Sequence, residues 1–152
     1  MNPQQHLDDL AYQLFHVFSR TEYALKAAGY NCGEGAAKAN WRRFALAVED
    51  LIANPTTTEV TEAIEFIFSA PPKKQMIVDG LITWADVEPQ TNSRADKLLQ
   101  YVRRVRNNLF HGGKFNGRWF APERSEPLLR HSLAILKAVI EFVPDVSHAY
   151  HG

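Results

Sequence analysis

Apolar residues recur at three- and four-residue spacing along almost the whole chain, and helix-breaking residues punctuate them at intervals. This periodicity is that of helices with one face inward. Leu7, Leu10, Leu14, Val17, Phe18, Leu25 and Ala28 define a first helix from about Gln4 to Ala28, stopped by Gly29. A second runs from about Ala36 to Ala53, with Trp41, Phe44, Ala45, Val48, Leu51 and Ile52 apolar; Asn54-Pro55 ends it. Thr58 is placed to cap a third, Glu59 to Ser69, closed by Pro71-Pro72. A short helix is expected from about Lys73 to Trp84, although Gly80 sits within it. Ser93-Arg94-Ala95-Asp96 resembles a capping box with Asp in place of Glu, and opens a long helix reaching about His111, ended by Gly112-Gly113. After a loop over Lys114 to Pro122, Ser125 caps a last helix with Pro127 in its first turn and an apolar face reaching Val143. The tail from Pro144 is read as loose. No alternating strand pattern is long enough to compete. The expected fold is all-α, a single domain over residues 1–152, built as an antiparallel bundle of four main helices with one or two shorter ones.

Composition narrows the class. With 152 residues, 45% hydrophobic and 22% charged, the chain is no disordered segment, collagen-like fibre or membrane bundle. One cysteine, Cys32, cannot form an intramolecular disulfide. Met1 to Leu10 is polar and lacks the basic start and apolar stretch of a signal peptide. The most apolar segment, Leu133 to Val143, is interrupted by Lys137 and Glu141. The expectation is a cytoplasmic protein without membrane contact.

A formal net charge of zero argues against a generic nucleic-acid binder, but the charges are unevenly placed. Residues 1–93 carry 7 basic and 12 acidic side chains, a net of −5. Residues 94–118 carry Arg94, Lys97, Arg103, Arg104, Arg106, Lys114 and Arg118 against Asp96 alone, a net of +6. Residues 119–152 carry 3 basic and 4 acidic, a net of −1. A local basic cluster attracts phosphates even on a neutral protein. The plainer alternative is a solvated basic face balanced by acidic neighbours.

At a helical step of about 100°, Leu98, Val102, Val105 and Leu109 form one apolar stripe on the long helix. Asn107 falls about 180° from Leu98 and His111 roughly 140° from it, on the opposite side. Asn107 and His111 stand at i and i+4, where side chains meet, and Arg103 extends the row one turn back. Arg106 sits at the edge between core and polar face. His moves protons near neutral pH, Arg stabilises charge on a phosphoryl group, and Asn fixes an imidazole's orientation. Together these suit metal-free cleavage of RNA through its own 2′-hydroxyl. The alternative is a surface imidazole whose cationic form the helix C-terminus favours, and that end does not itself attract an anion.

Arg106-Asn107-Asn108-Leu109-Phe110-His111 resembles the R-x4-H motif of the HEPN family, including the polar residue after the Arg. HEPN domains are small helical bundles with this motif near the end of a late helix and one further helix after it. Phe18 to Lys26 is similar to opening segments of some HEPN subfamilies. The resemblance implies a metal-independent endoribonuclease of toxin–antitoxin or anti-phage defence systems. It implies a homodimer with two motifs lining one cleft, and a product ending in a 2′,3′-cyclic phosphate. His111 is then the acid or base, Arg106 the phosphate-binding group and Asn107 the orienting residue. RNA is the implied substrate, an antitoxin protein a further implied partner, and no cofactor or metal is called for.

Arg103 and Lys114 are candidate phosphate contacts. Arg20, Glu22 and Lys26 on the first helix are candidate cleft neighbours, although Glu22 and Lys26 at i, i+4 also read as a surface salt bridge. Tyr101, Phe110 and Trp119 suit base stacking or plain packing. His148 and His151 lack a third ligand and make a poor metal site. Gly33-Glu34-Gly35 lacks the strand and third glycine of a dinucleotide loop, and Cys32 has no activating partner in sequence. Two rivals stand beside the enzyme: a catalytically inactive HEPN-like module binding nucleic acid, a nucleotide or a partner protein, and an interaction bundle whose basic helix docks an acidic partner.

Overall fold

In a computed structural model the chain is mostly helical, and residues 2–110, 114–115, 118–119 and 122–152 are described. α1 (Pro3–Ala27) starts from a full capping box, with Asn2 accepting from the Gln5 N–H and the Gln5 side chain accepting from the Asn2 N–H. α2 (Trp41–Ala47) and α3 (Glu49–Ala53) follow, then α4 (Thr58–Ser69). A hairpin, β1 (Lys74–Val78) with β2 (Leu81–Ala85), leads to α5 (Arg94–Phe110). A shorter hairpin, β3 (Lys114–Phe115) with β4 (Arg118–Trp119), precedes α6 (Pro122–Phe142) and α7 (Pro144–His151).

One apolar core runs from Leu7 on α1 to Val146 on α7. α6 packs on α1, α4 and α5, and α5 lies against α1, α2, α3 and α4. The expected stripe on α5 faces this core: Leu98, Val102 and Val105 are buried and Leu109 half-buried, joined by Ala95, Leu99 and Tyr101. Tyr101 is therefore a packing residue. Ser93 caps α5 by accepting from the Asp96 N–H, but Asp96 does not return the bond; its carboxylate accepts from Gln100 instead.

Six expectations from sequence are corrected. The segment from Lys114 to Pro122, read as a loop, holds the paired strands β3 and β4 and the first residue of α6. Residues 73–84, read as a short helix, form the β1–β2 hairpin. Asp79 and Gly80 both have positive φ, 51° and 76°, the signature of a type I′ two-residue turn. The second helix starts only at Trp41, where Asn40 accepts from the Arg43 N–H. It is interrupted at Val48, whose ψ of 10° leaves the helical region. The cap of α4 is Thr57, one residue before Thr58. α6 starts three residues ahead of Ser125, so Pro127 lies inside it. The tail is not loose: α7 starts at Pro144, buries Val146 and packs on α1 and α6. Arg20 locks it by donating from Nε to the Tyr150 carbonyl at 2.7 Å while stacking over the Tyr150 ring. Among the described residues no helix is long and apolar enough to cross a membrane.

Candidate functional site

The polar face of α5 meets two structures that the core packing puts beside it. One is aromatic. Phe18 of α1 stacks on Trp41 of α2, ring centroids 5.2 Å apart and planes 27° from parallel. The Arg103 guanidinium lies 5.5 Å over Trp41, and that of Arg106 lies 5.2 Å over Phe18. Guanidinium groups stack well on aromatic faces, so the two rings form a platform that holds two cations side by side. Glu22 completes it from α1, accepting the Trp41 indole N–H at 2.9 Å. The charges of Asp96 and Glu22 offset part of the cost of placing Arg103 there.

Burial nevertheless pushes the Arg103 guanidinium below its ordinary range. Its Nε is enclosed and has no hydrogen-bond partner among the described residues. An enclosed donor left unpaired costs about 1–3 kcal/mol, a cost that an acceptor brought by a ligand would remove. Arg106 donates from Nη1 to Asn107 Oδ1 at 3.0 Å, joining the first two residues of the motif. Asn107 itself is exposed.

The other structure is the β1–β2 hairpin. Arg104 donates to the carbonyls of Pro72 and Val87 at 3.1 and 2.8 Å, one on each side of the hairpin, and Asn108 donates to the Lys73 carbonyl at 2.9 Å. Arg124 of α6 holds the preceding Ala70 and Pro71 carbonyls. The hairpin root is thus tied to α5, and between them lies an open groove of about 340 Å³. Gln100, Arg103, Arg104, Asn107 and Asn108 line its helix side, and Lys74 and Gln75 its strand side. Cations and amide donors converge there, a donor set suited to the oxygens of a phosphodiester.

The structure sorts the basic residues of segment 94–118. Arg94 is spent on the Ile52 carbonyl and the Phe68 ring, Lys97 on Glu88, and Arg104 on the hairpin root. Arg103 lines the groove, and Arg106 reaches it through Asn107. Of the first-helix candidates, Glu22 joins the site through Trp41, Arg20 is committed to α7, and Lys26 lies half-buried in the last turn of α1. His111 lies outside the described residues; Lys114 belongs to β3, with its side chain outside them. The side chains of Phe110 and Trp119 are likewise outside them.

Lys74, Gln75, Gln100 and Asn108 were not singled out by sequence, nor were Phe18 and Trp41 as a platform. Gln100 stands three residues before Arg103, and Asn108 four after Arg104, both helical spacings present in the sequence. Among the described residues no three His, Cys, Asp or Glu side chains gather to hold a metal ion; His151 instead pairs with Glu141. Comparison of the chain with protein-family models, curated proteins and solved structures gave no match.

Proposed function

We propose that the chain is a HEPN-like helical module that cleaves RNA without metal, its groove along α5 binding the phosphodiester backbone. The observation that carries this reading is the pair of arginines held on the Phe18–Trp41 platform, next to a groove lined by amides and a lysine. Arg106 binds the scissile phosphate and stabilises the charge that develops on it. His111 acts as general base toward the 2′-hydroxyl, or as general acid toward the departing 5′-oxygen. Attack of the 2′-oxygen on phosphorus displaces the 5′-oxygen, leaving a 2′,3′-cyclic phosphate and a 5′-hydroxyl. A homodimer with two motifs in one cleft supplies one histidine for each proton transfer. The four-helix antiparallel bundle of a HEPN domain, a toxin or anti-phage role and an antitoxin partner belong to the same proposal.

The bond between Arg106 and Asn107 favours a second reading. It ties the arginine of the motif to its neighbour on the same helix, as suits a module that binds nucleic acid without turning it over. A single assay separates the two. Mixed-sequence RNA is incubated in EDTA with the wild type, His111→Ala and Arg106→Ala. Cleavage that both variants lack supports the enzyme. Salt-sensitive binding without cleavage supports the second reading. Cleavage undiminished in His111→Ala overturns the assignment of the site.

A further inference from the structure

The β1–β2 hairpin is apolar at its tip on both faces. Met76, Val78 and Leu81 share one face with Thr83, and Ile77, Ile82 and Trp84 share the other. Ile77, Leu81 and Ile82 are 67%, 69% and 66% exposed. Two-stranded hairpins are marginal in water, and an exposed apolar patch of this kind marks an interface. On β2 itself the exposed apolar side chains are Leu81, Ile82 and Trp84.

β1 is the strand beside α5, whereas among the described residues no strand pairs with the outer edge of β2. That edge carries none of the usual protection: Leu81-Ile82-Thr83-Trp84-Ala85 contains no charge, no proline and no bulge. The turn closes on Val78 and Leu81, so the backbone N–H and C=O groups of Ile82 and Trp84 point away from β1.

We infer that β2 pairs antiparallel with β2 of a second copy of this chain, giving a four-stranded sheet in the order β1-β2-β2′-β1′. The segment is self-complementary about Thr83. With Thr83 opposite Thr83, Ile82 lies opposite the partner's Trp84, and Trp84 opposite the partner's Ile82. These are β-branched–aromatic cross-strand pairs, formed at the two positions whose backbone groups face outward. No like charges come face to face, since Asp86 lies opposite the partner's Gly80. The roots held by Arg104 and Arg124 present the strand at a fixed angle, which lowers the entropy cost of pairing. This contact does not rest on the ribonuclease reading. β1 stands between β2 and the groove, so pairing leaves both grooves open and sets the two β1 strands about 14 Å apart, three strand spacings. It is a separate interface from a dimer in which two motifs share one phosphate.

Cross-linking tests the register. In a Cys32→Ser background, Thr83→Cys places two sulfurs at a non-hydrogen-bonded pair with Cα atoms about 4.5 Å apart, within reach of a disulfide. Mild oxidation is expected to yield covalent dimer from Thr83→Cys and not from Ile77→Cys on the inner strand. Sedimentation velocity from 1 to about 100 μM is expected to show self-association that Ile82→Lys/Trp84→Lys weakens by at least about tenfold. Arg106→Ala leaves the cross-link intact, because the contact is independent of the groove. Both edge positions are exposed, so the circular dichroism spectrum of the double variant stays native. Equal cross-linking at positions 77 and 83, no cross-linking at either, or association unchanged in the double lysine variant overturns the inference.

Discussion

At the scale of single residues, the arginines on α5 differ in what their guanidinium groups meet. Arg94 and Arg104 meet backbone carbonyls and are structural. Arg103 meets a ring on one face, and its Nε has no partner among the described residues, the state of a side chain kept for something other than stability. Opposite outcomes follow for two like substitutions. Arg104→Met leaves the Pro72 and Val87 carbonyls without their donor and is expected to cost about 1–3 kcal/mol in urea unfolding. Arg103→Met keeps the stem, removes a partly buried charge and an unpaired donor, and is expected to leave stability within about 1 kcal/mol of wild type or to raise it. RNA affinity, measured by fluorescence anisotropy, is expected to fall at least about tenfold in Arg103→Met. A large stability loss in that variant would assign Arg103 to the fold instead.

At the scale of elements, what the sequence disclosed depended on how one-sided each element is. α5 was legible because one face is apolar and the other polar. The Ser93 half of the expected capping box and the core stripe from Leu98 to Leu109 are both present. The hairpin was not, because apolar residues on both its faces erase the period-two alternation that marks a strand. Its signal in the sequence is Asp79-Gly80, the same glycine that counts against the short helix expected over Lys73 to Trp84. With the hairpin went Lys74 and Gln75, the strand side of the groove. α7 was missed because its anchor is a single buried valine and a distant arginine. Gly80→Ala tests the turn: its added methyl meets open space, so the cost is the positive φ alone, about 1 kcal/mol. Faster amide exchange confined to 74–85 is the expected readout, and exchange spread through α5 would show the hairpin to be part of the core's cooperative unit.

At the scale of the whole molecule, folding ties Arg94 and Lys97 of the basic cluster to other partners, and among the described residues the cations lining the groove are Lys74, Arg103 and Arg104. A neutral total charge is compatible with local engagement of a phosphate. Stability carries its own pH dependence through His131 on α6. Its ring sits against Phe66, centroids 4.7 Å apart, and burial pushes the imidazole below the ordinary 6.5. Arg130 pushes it further down, while Glu126, Glu62 and Glu59 pull against it. As pH falls through 6.5 the unfolded chain takes up the proton first, so this residue's contribution is full above 6.5 and lost below it. The loss has a limiting slope of about 1.4 kcal/mol per pH unit. His131→Phe is expected to reduce the fall in urea-unfolding stability between pH 7 and pH 5; an unchanged fall would place the acid sensitivity elsewhere.

In the proposed reaction the groove beside Arg103, Arg106 and Asn107 delivers a phosphodiester to His111 for attack by the adjacent 2′-hydroxyl. Phosphorus NMR of RNA cleaved in EDTA tests it most directly. A 2′,3′-cyclic phosphate resonance is expected with wild type, none with His111→Ala, and none from a 2′-O-methylated RNA. A linear 3′- or 5′-phosphate formed directly, or cleavage of the methylated RNA, would contradict it.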